Sequence, residues 1–124
     1  MHKRNIVHRD IKPENILISV DEDGDQLNIK LTDFGFACVH DENLGLDTVL
    51  GSPFYMAPEL VKRKNYGPGV DVWAVGVIAH TLLTGCVPFD GTTKTQIKAS
   101  ILRDKPSFGG LKKALSSKAI NFVN

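Results

Sequence analysis

Thiols are scarce in this chain: there are two cysteines, Cys38 and Cys86. They form neither a metal-ligand spacing nor a disulfide framework. A reducing setting therefore fits, intracellular and cytoplasmic, with the nucleus left open. Excess charge of either sign is scarce as well. The formal net charge is +1 and no long basic run occurs, which argues against nucleic acid as a partner, because such binders gather Lys and Arg on one face. The short cluster Lys62, Arg63, Lys64 reads as a solvated loop. Long hydrophobic runs are missing too. The opening MHKRNIVHRD lacks the apolar centre of a leader peptide. The longest apolar stretch, VWAVGVIAHTLL (72–83), is shorter than the roughly 20 residues that span a bilayer and contains His80, so no membrane partner is expected.

What is present is a soluble globular balance, 42% hydrophobic and 23% charged over 124 residues. That length suits one small domain and not two. Both ends read as cut. The chain opens within a few residues of its most chemically loaded motif and closes on SSKAINFVN with no stop signal.

The pattern predicts a mainly α fold with a small β-hairpin. Ile6 and Val7 suit a short strand, and NILISV (15–20) and LNIKLT (27–32) suit two more. Between the last two lies DEDGDQ, an Asp/Gly turn that makes them a hairpin. A calcium loop counted from Asp21 would need glycine sixth and glutamate twelfth, where Gln26 and Thr32 stand. Residues 34–56 read as loop. PELVKR (58–63) suits a short helix with Pro58 in its first turn, and YGPG (66–69) a turn. The helix predicted over 70–83 has Asp71 near its start, where a carboxylate accepts from free backbone N–H groups, and Gly85 at its end. It is apolar almost all round and so is expected to be buried on every side. An amphipathic helix is predicted over 93–104, and a third begins at Ser116 or Ser117.

HRDIKPEN (8–15) places a carboxylate, a cation and an amide in one short segment. Attack of a hydroxyl on a phosphoryl group needs an acceptor for the hydroxyl proton, and Asp10 supplies one. Charge on the transferring group must be offset, and Lys12 can reach it. Magnesium takes oxygen ligands, and the Asn15 side-chain carbonyl is one. A carboxylate ligand should stand at a nearby strand end. Asp33, opening DFG directly after the second hairpin strand, would be returned beside Asn15 by the hairpin.

HRDIKPEN, DFG (33–35) and APE (57–59), in that order, resemble the protein-kinase signature set. DVWAVGV and GCVPF resemble later segments of that family, and the likeness covers essentially the whole chain. It implies a kinase-like C-terminal lobe, with residues 1–124 a partial kinase domain. It implies ATP and Mg²⁺ as cofactors and a protein substrate bearing Ser or Thr. Asp10 resembles the catalytic Asp, Lys12 the residue that steadies the γ-phosphate in the Ser/Thr branch, and Asn15 and Asp33 the magnesium ligands. Glu14 joins Lys12, Asn15 and Asp33 around the nucleotide and could attract a basic residue of a substrate. Gly35 resembles the hinge of its segment. Ser52 resembles the hydroxyl that supports Asp10 and Lys12, while Phe54 and Tyr55 shape the wall near the acceptor hydroxyl. Arg9 resembles the site that binds a phosphorylated activation loop. Thr48, in LDTVLGSPFYMAPE, is the matching phosphosite for an upstream activating kinase. His8 is expected to pack and hydrogen-bond, and Trp73 to sit in the core. Asp71 resembles the helix-start Asp that ties down the catalytic segment. Glu59 resembles the carboxylate that pairs with a distant Arg nearer the family's C-terminus. GSPFYMAPEL and GVDVWAVGVIAHTLLTGCVPFDG look most like the calcium/calmodulin-dependent kinase group.

Two family features have no counterpart in these residues: a glycine-rich phosphate loop and a strand lysine paired with a helix glutamate. The isolated chain is therefore expected to be inactive, and its apolar helix to lack neighbours. A second reading, a non-catalytic lobe that competes for a kinase's partners through residues 93–104 and the loop near Ser52, would keep the surface and dispense with the chemistry.

Overall fold

The computed structural model describes residues 1–41, 45–108 and 115–123; part of the loop expected over 34–56 thus lies outside the described residues. In chain order the elements are β1 (Ile6–Val7), β2 (Ile16–Val20), β3 (Leu27–Leu31), β4 (Cys38–Val39), α1 (Pro58–Val61), α2 (Gly69–Thr84), α3 (Lys94–Arg103) and α4 (Ser117–Val123). Short 3₁₀ turns cover His2–Arg4, Pro13–Asn15, Phe34–Phe36 and Pro53–Tyr55.

β2 and β3 form the expected hairpin, antiparallel with Ile16 opposite Leu31 and Val20 opposite Leu27. Asp21 closes its turn: the carboxylate accepts from the N–H groups of Asp25 (2.9 Å) and Gln26 (3.1 Å). The acidic run thus serves a turn. Asn15 belongs to the preceding 3₁₀ turn rather than to the strand. β1 has a partner that sequence did not supply. It pairs antiparallel with β4, Val7 opposite Cys38, inside the stretch read as loop. Two residues are too few to show alternation, so the pairing is visible only in three dimensions.

α2 is the central helix. Val70, Ala74 and Val77 are buried along one stripe. Val70 joins Val7, Ala57, Leu60 and Tyr66 in one core cluster. A second cluster holds Phe89, Ile97 and Ile101. Trp73 packs against both, its ring stacked on Phe89 at 5.6 Å between centroids. Gly85 ends α2 in the left-handed region (φ +73°) and its N–H returns to the Thr81 carbonyl at 2.8 Å. α3 opens on a reciprocal cap, in which the Thr93 hydroxyl accepts from Gln96 N–H and the Gln96 side chain accepts from Thr93 N–H. Ser116 Oγ accepts from Ala119 N–H at 3.2 Å and starts α4.

α2 is not buried on every side. Val72, Val75 and Leu82 share a stripe that faces solvent, with Leu82 82% exposed. Leu17, Ile18, Val20, Leu27 and Ile29 of the hairpin are exposed as well, on both faces. Among the described residues no helix is long and apolar enough to cross a membrane.

So much uncovered apolar surface favours association. The 124-residue chain is expected to scatter light as concentration-dependent oligomers, and Leu82→Lys to reduce them. A monomer at every dilution, melting in one sharp transition, would contradict this.

Candidate active site

The site is built around a buried carboxylate. Asp71 lies in the first turn of α2, only 2% exposed. It does not cap its own helix, as a first-turn carboxylate was expected to do. Its oxygens face another segment: Oδ2 accepts from His8 N–H at 2.8 Å and Oδ1 from Arg9 N–H at 2.9 Å. His2 Nε2 lies 2.8 Å from Oδ2 as a third partner. Two consecutive amides turned to one carboxylate fix the backbone where β1 ends. Arg9 is held there in the left-handed region (φ +70°), uncommon for a residue with a side chain. His8 is fully buried; its Nε2 pairs with the Thr32 carbonyl at 3.0 Å and its ring lies 4.9 Å from that of Phe34.

This backbone delivers Asp10, which is 5% exposed and hydrogen-bonded through both oxygens. Oδ2 accepts from Lys12 Nζ at 2.7 Å and from Asn15 Nδ2 at 3.3 Å. Oδ1 accepts from the Ser52 N–H at 3.1 Å and the Ser52 hydroxyl at 3.2 Å. Burial alone would raise the Asp10 carboxyl pKa, but the Lys12 charge and the Ser52 donors outweigh it and hold the pKa below its ordinary value. Lys12 moves the opposite way. Its bond to Asp10 raises its pKa against a partial loss from burial, helped by the negative charges of Asp10, Glu14 and Asp33. Lys12 Nζ also reaches Ser52 Oγ at 3.3 Å.

Asn15 is buried, and its amide nitrogen donates to the Asp10 carbonyl at 2.9 Å. The carbonyl end of the amide is thereby left for another partner. The Asn15 backbone carbonyl accepts from Thr32 N–H at 2.9 Å at the open end of the hairpin, so Asp33 comes directly after. Asp33 is exposed, with φ +57°, and its carboxylate accepts from Gly35 N–H at 3.2 Å. A Cβ at Gly35 would stand 3.1 Å from that same oxygen. No group of three His, Cys, Asp or Glu side chains gathers among the described residues. The oxygens of Asn15 and Asp33 are hard donors of the type that magnesium takes beside phosphate and water. Glu14 is exposed, and the Tyr55 hydroxyl pKa is raised, by burial first and by the Glu14 charge second, with the Lys12 charge opposing.

Three residues that sequence reading passed over complete the frame. Besides His2, Gly51 (φ +102°) brings the chain before Ser52 against the Arg9 backbone, where a Cβ would meet the Arg9 carbonyl oxygen at 2.8 Å. A glycine beside a recognised serine was the available signal. Tyr66, 5% exposed, accepts from Arg9 Nη1 at 3.3 Å and donates to the Thr48 carbonyl at 2.7 Å. Arg9 Nε donates to the Phe36 carbonyl at 2.6 Å. Thr48 itself is exposed, its hydroxyl 3.3 Å from Asp47 Oδ1. Glu59 lies apart from this cluster, half-buried at a cavity of about 360 Å³ that Trp73, His80 and Phe89 also line.

Comparison with known proteins gives a consistent picture. A family profile described as the protein kinase domain matches residues 1–124. The chain is 46% identical over 105 residues to a zebrafish (Danio rerio) "Serine/threonine-protein kinase SIK3 homolog", which covers 84% of this chain and 8% of that protein. It is 51% identical over 89 residues to "Serine/threonine-protein kinase GG21441" of Drosophila erecta, 72% of this chain and 12% of that protein. The matched region thus spans about a tenth of the length of these curated relatives.

Asp71→Ala is expected to lower stability by about 2–5 kcal/mol in urea denaturation, because two inward-facing amides lose their acceptor. A loss under about 1 kcal/mol, the net value of one ordinary hydrogen bond, would contradict it. The Asp10–Lys12 pair has a pH window. A lowered carboxyl pKa contributes stability above the unfolded value of about 3.9, lost as pH falls through the folded one. A raised ammonium pKa contributes below about 10.4, lost as pH rises through its folded value. The stability gap between wild type and Lys12→Met should be widest between roughly pH 4 and pH 10 and narrow on both sides. Urea midpoints across pH check this, and a constant gap counts against the pair.

Proposed function

The chain belongs to the protein kinase family, and from that premise we propose that residues 1–124 are the C-terminal, catalytic-loop part of a serine/threonine kinase domain. The domain transfers the ATP γ-phosphate to Ser or Thr hydroxyls of a protein. The observation that carries this reading is the Asp10 carboxylate, held below its ordinary pKa with Lys12 and Ser52 on its oxygens and Asn15 linking it to the Asp33 strand end.

The chemistry comes from those positions. Ionised Asp10 accepts a hydrogen bond from the substrate hydroxyl, turns its lone pair toward the phosphorus and takes its proton as the bond forms. Lys12 already reaches both Asp10 and Ser52, so its ammonium can offset negative charge beside the acceptor oxygen. Asn15 and Asp33 would hold Mg²⁺, which when bound neutralises charge on the phosphates. Glu14, whose charge reaches Lys12 and Tyr55, could attract a basic residue of the peptide, and Tyr55 would shape the wall near its acceptor hydroxyl. Arg9 suits a phosphate on Thr48, placed there by an upstream kinase. GSPFYMAPEL and the sequence of α2 support placement in the calcium/calmodulin-dependent kinase group. Cys38 and Cys86 are both free thiols, which suits a reducing, cytoplasmic setting.

Because these residues hold no glycine-rich loop, Mg·ATP should bind the isolated chain with a Kd of roughly 1 mM or weaker, about −4 kcal/mol. Calorimetric titration checks it, and micromolar binding would refute the division of labour. In a form that carries a nucleotide-binding lobe, Asp10→Asn should lower kcat for peptide phosphorylation by roughly 10²- to 10⁴-fold. Unchanged turnover in that variant would remove Asp10 from the catalytic role, and no turnover in the wild type would favour the non-catalytic, partner-binding reading.

A further inference from the structure

Arg9 and Thr48 lie far apart in sequence, and one side chain joins them. The Tyr66 hydroxyl accepts from Arg9 Nη1 at 3.3 Å and donates to the Thr48 carbonyl at 2.7 Å. Both of its bonds are thus spent on linking the two segments. The ring is fixed: Tyr66 is 5% exposed, in the core cluster with Val7, Ala57, Leu60 and Val70. Its backbone is fixed as well, exchanging hydrogen bonds with Leu46 in both directions at 3.1 and 3.0 Å. Arg9 is pinned at its own backbone by Asp71 and at Nε by Phe36. The Thr48 side chain, by contrast, is exposed and touches only the carboxylate of its neighbour Asp47 among the bonds described. The geometry is that of a residue whose backbone is presented by a rigid post while its hydroxyl stays open to modification.

We propose that Tyr66 is a positioning residue that presents Thr48 to Arg9, so that a phosphate on Thr48 meets the guanidinium without a search by the loop. This rests on the kinase reading above and deepens its regulatory part. The physical gain is preorganisation. A loop ordered before the charge arrives does not lose that freedom when the ion pair forms. The phosphate brings roughly −1.5 to −2 charge and three acceptors to a guanidinium that already shares an oxygen with the loop's tether. It also repels Asp47, which releases the hydroxyl side of Thr48 toward Arg9. Removing the Tyr66 oxygen would leave ring packing in place and cut the tether alone.

The test is a ³¹P NMR titration of a form that carries a nucleotide-binding lobe together with these residues, with phosphothreonine at position 48 introduced by ligation. Wild type, Tyr66→Phe and Arg9→Ala are compared, with the near-ultraviolet signal of Trp73 used to select conditions in which all three are folded. A free phosphothreonine titrates near pH ~6. In the wild type the phosphate pKa should fall by about one unit, as an adjacent guanidinium dictates. It should return toward the free value in Tyr66→Phe as in Arg9→Ala. A purely structural Tyr66 would leave the phosphate pKa unmoved. If Tyr66→Phe keeps the lowered pKa while Arg9→Ala loses it, the positioning role is overturned and the phosphate–Arg9 pairing stands. If the wild type titrates like free phosphothreonine, the pairing and the positioning role both fall.

Discussion

The whole site hangs on the carboxylate of Asp71 and the two amides it faces. A helix start and a turn leaving a strand have no reason to meet unless something binds them. Here an almost fully buried carboxylate accepts from His8 and Arg9 N–H groups in succession. The pairing satisfies all parties: a buried carboxylate needs donors and buried amides need an acceptor. It also sets the course of the chain beyond it. With both amides turned inward, Arg9 is driven to a positive φ, and Asp10 emerges pointing at Lys12 and Ser52 rather than at solvent. Gly51 then becomes obligatory in size, because the chain that carries Ser52 passes against the same Arg9 backbone.

How much of this could be read from the residues depends on whether the information was local. The hairpin was legible because its strands are long enough to show β-branched runs and its turn chemistry is explicit. The α2 and α3 boundaries came out within a residue or two, since Gly85 and Thr93 act on their immediate neighbours. The residue types of the 8–15 segment pointed to Asp10, Lys12 and Asn15, and the structure does bring them together. Contacts between distant segments were legible only where the family resemblance named them, as for Ser52 beside Asp10 and Lys12. β1 pairs with β4 through two residues each, below the length at which a pattern exists. Asp71 carried two readings, a local cap from its place in the helix and a tie to the catalytic segment from the family resemblance, and its carboxylate faces the remote backbone. Tyr66 looked like part of a turn, and nothing in its neighbours says that its hydroxyl joins Arg9 to Thr48.

Burial shows the same dependence on neighbours. A helix apolar on all sides calls for cover on all sides but was expected to lack neighbours here, and α2 covers only the stripe that meets the clusters around Val70 and Phe89. Composition states what a surface would prefer. It does not supply the neighbour. Glu59 makes the same point in polar form, standing half-buried beside a cavity where Trp73 Nε1 and His80 Nε2 have no partner among the described residues.

The 2.7 Å contact between Lys12 and Asp10 carries a consequence for how such a site fills. Each group is the other's counterion, so the pair is close to electrically silent despite holding an ammonium and a carboxylate side by side. On the proposed kinase reading, an arriving phosphate and hydroxyl would divide an existing pair, the anion drawing Lys12 and the hydroxyl taking its place on Asp10. Occupancy would then be an exchange of partners, in which neither ionised group has to stand bare.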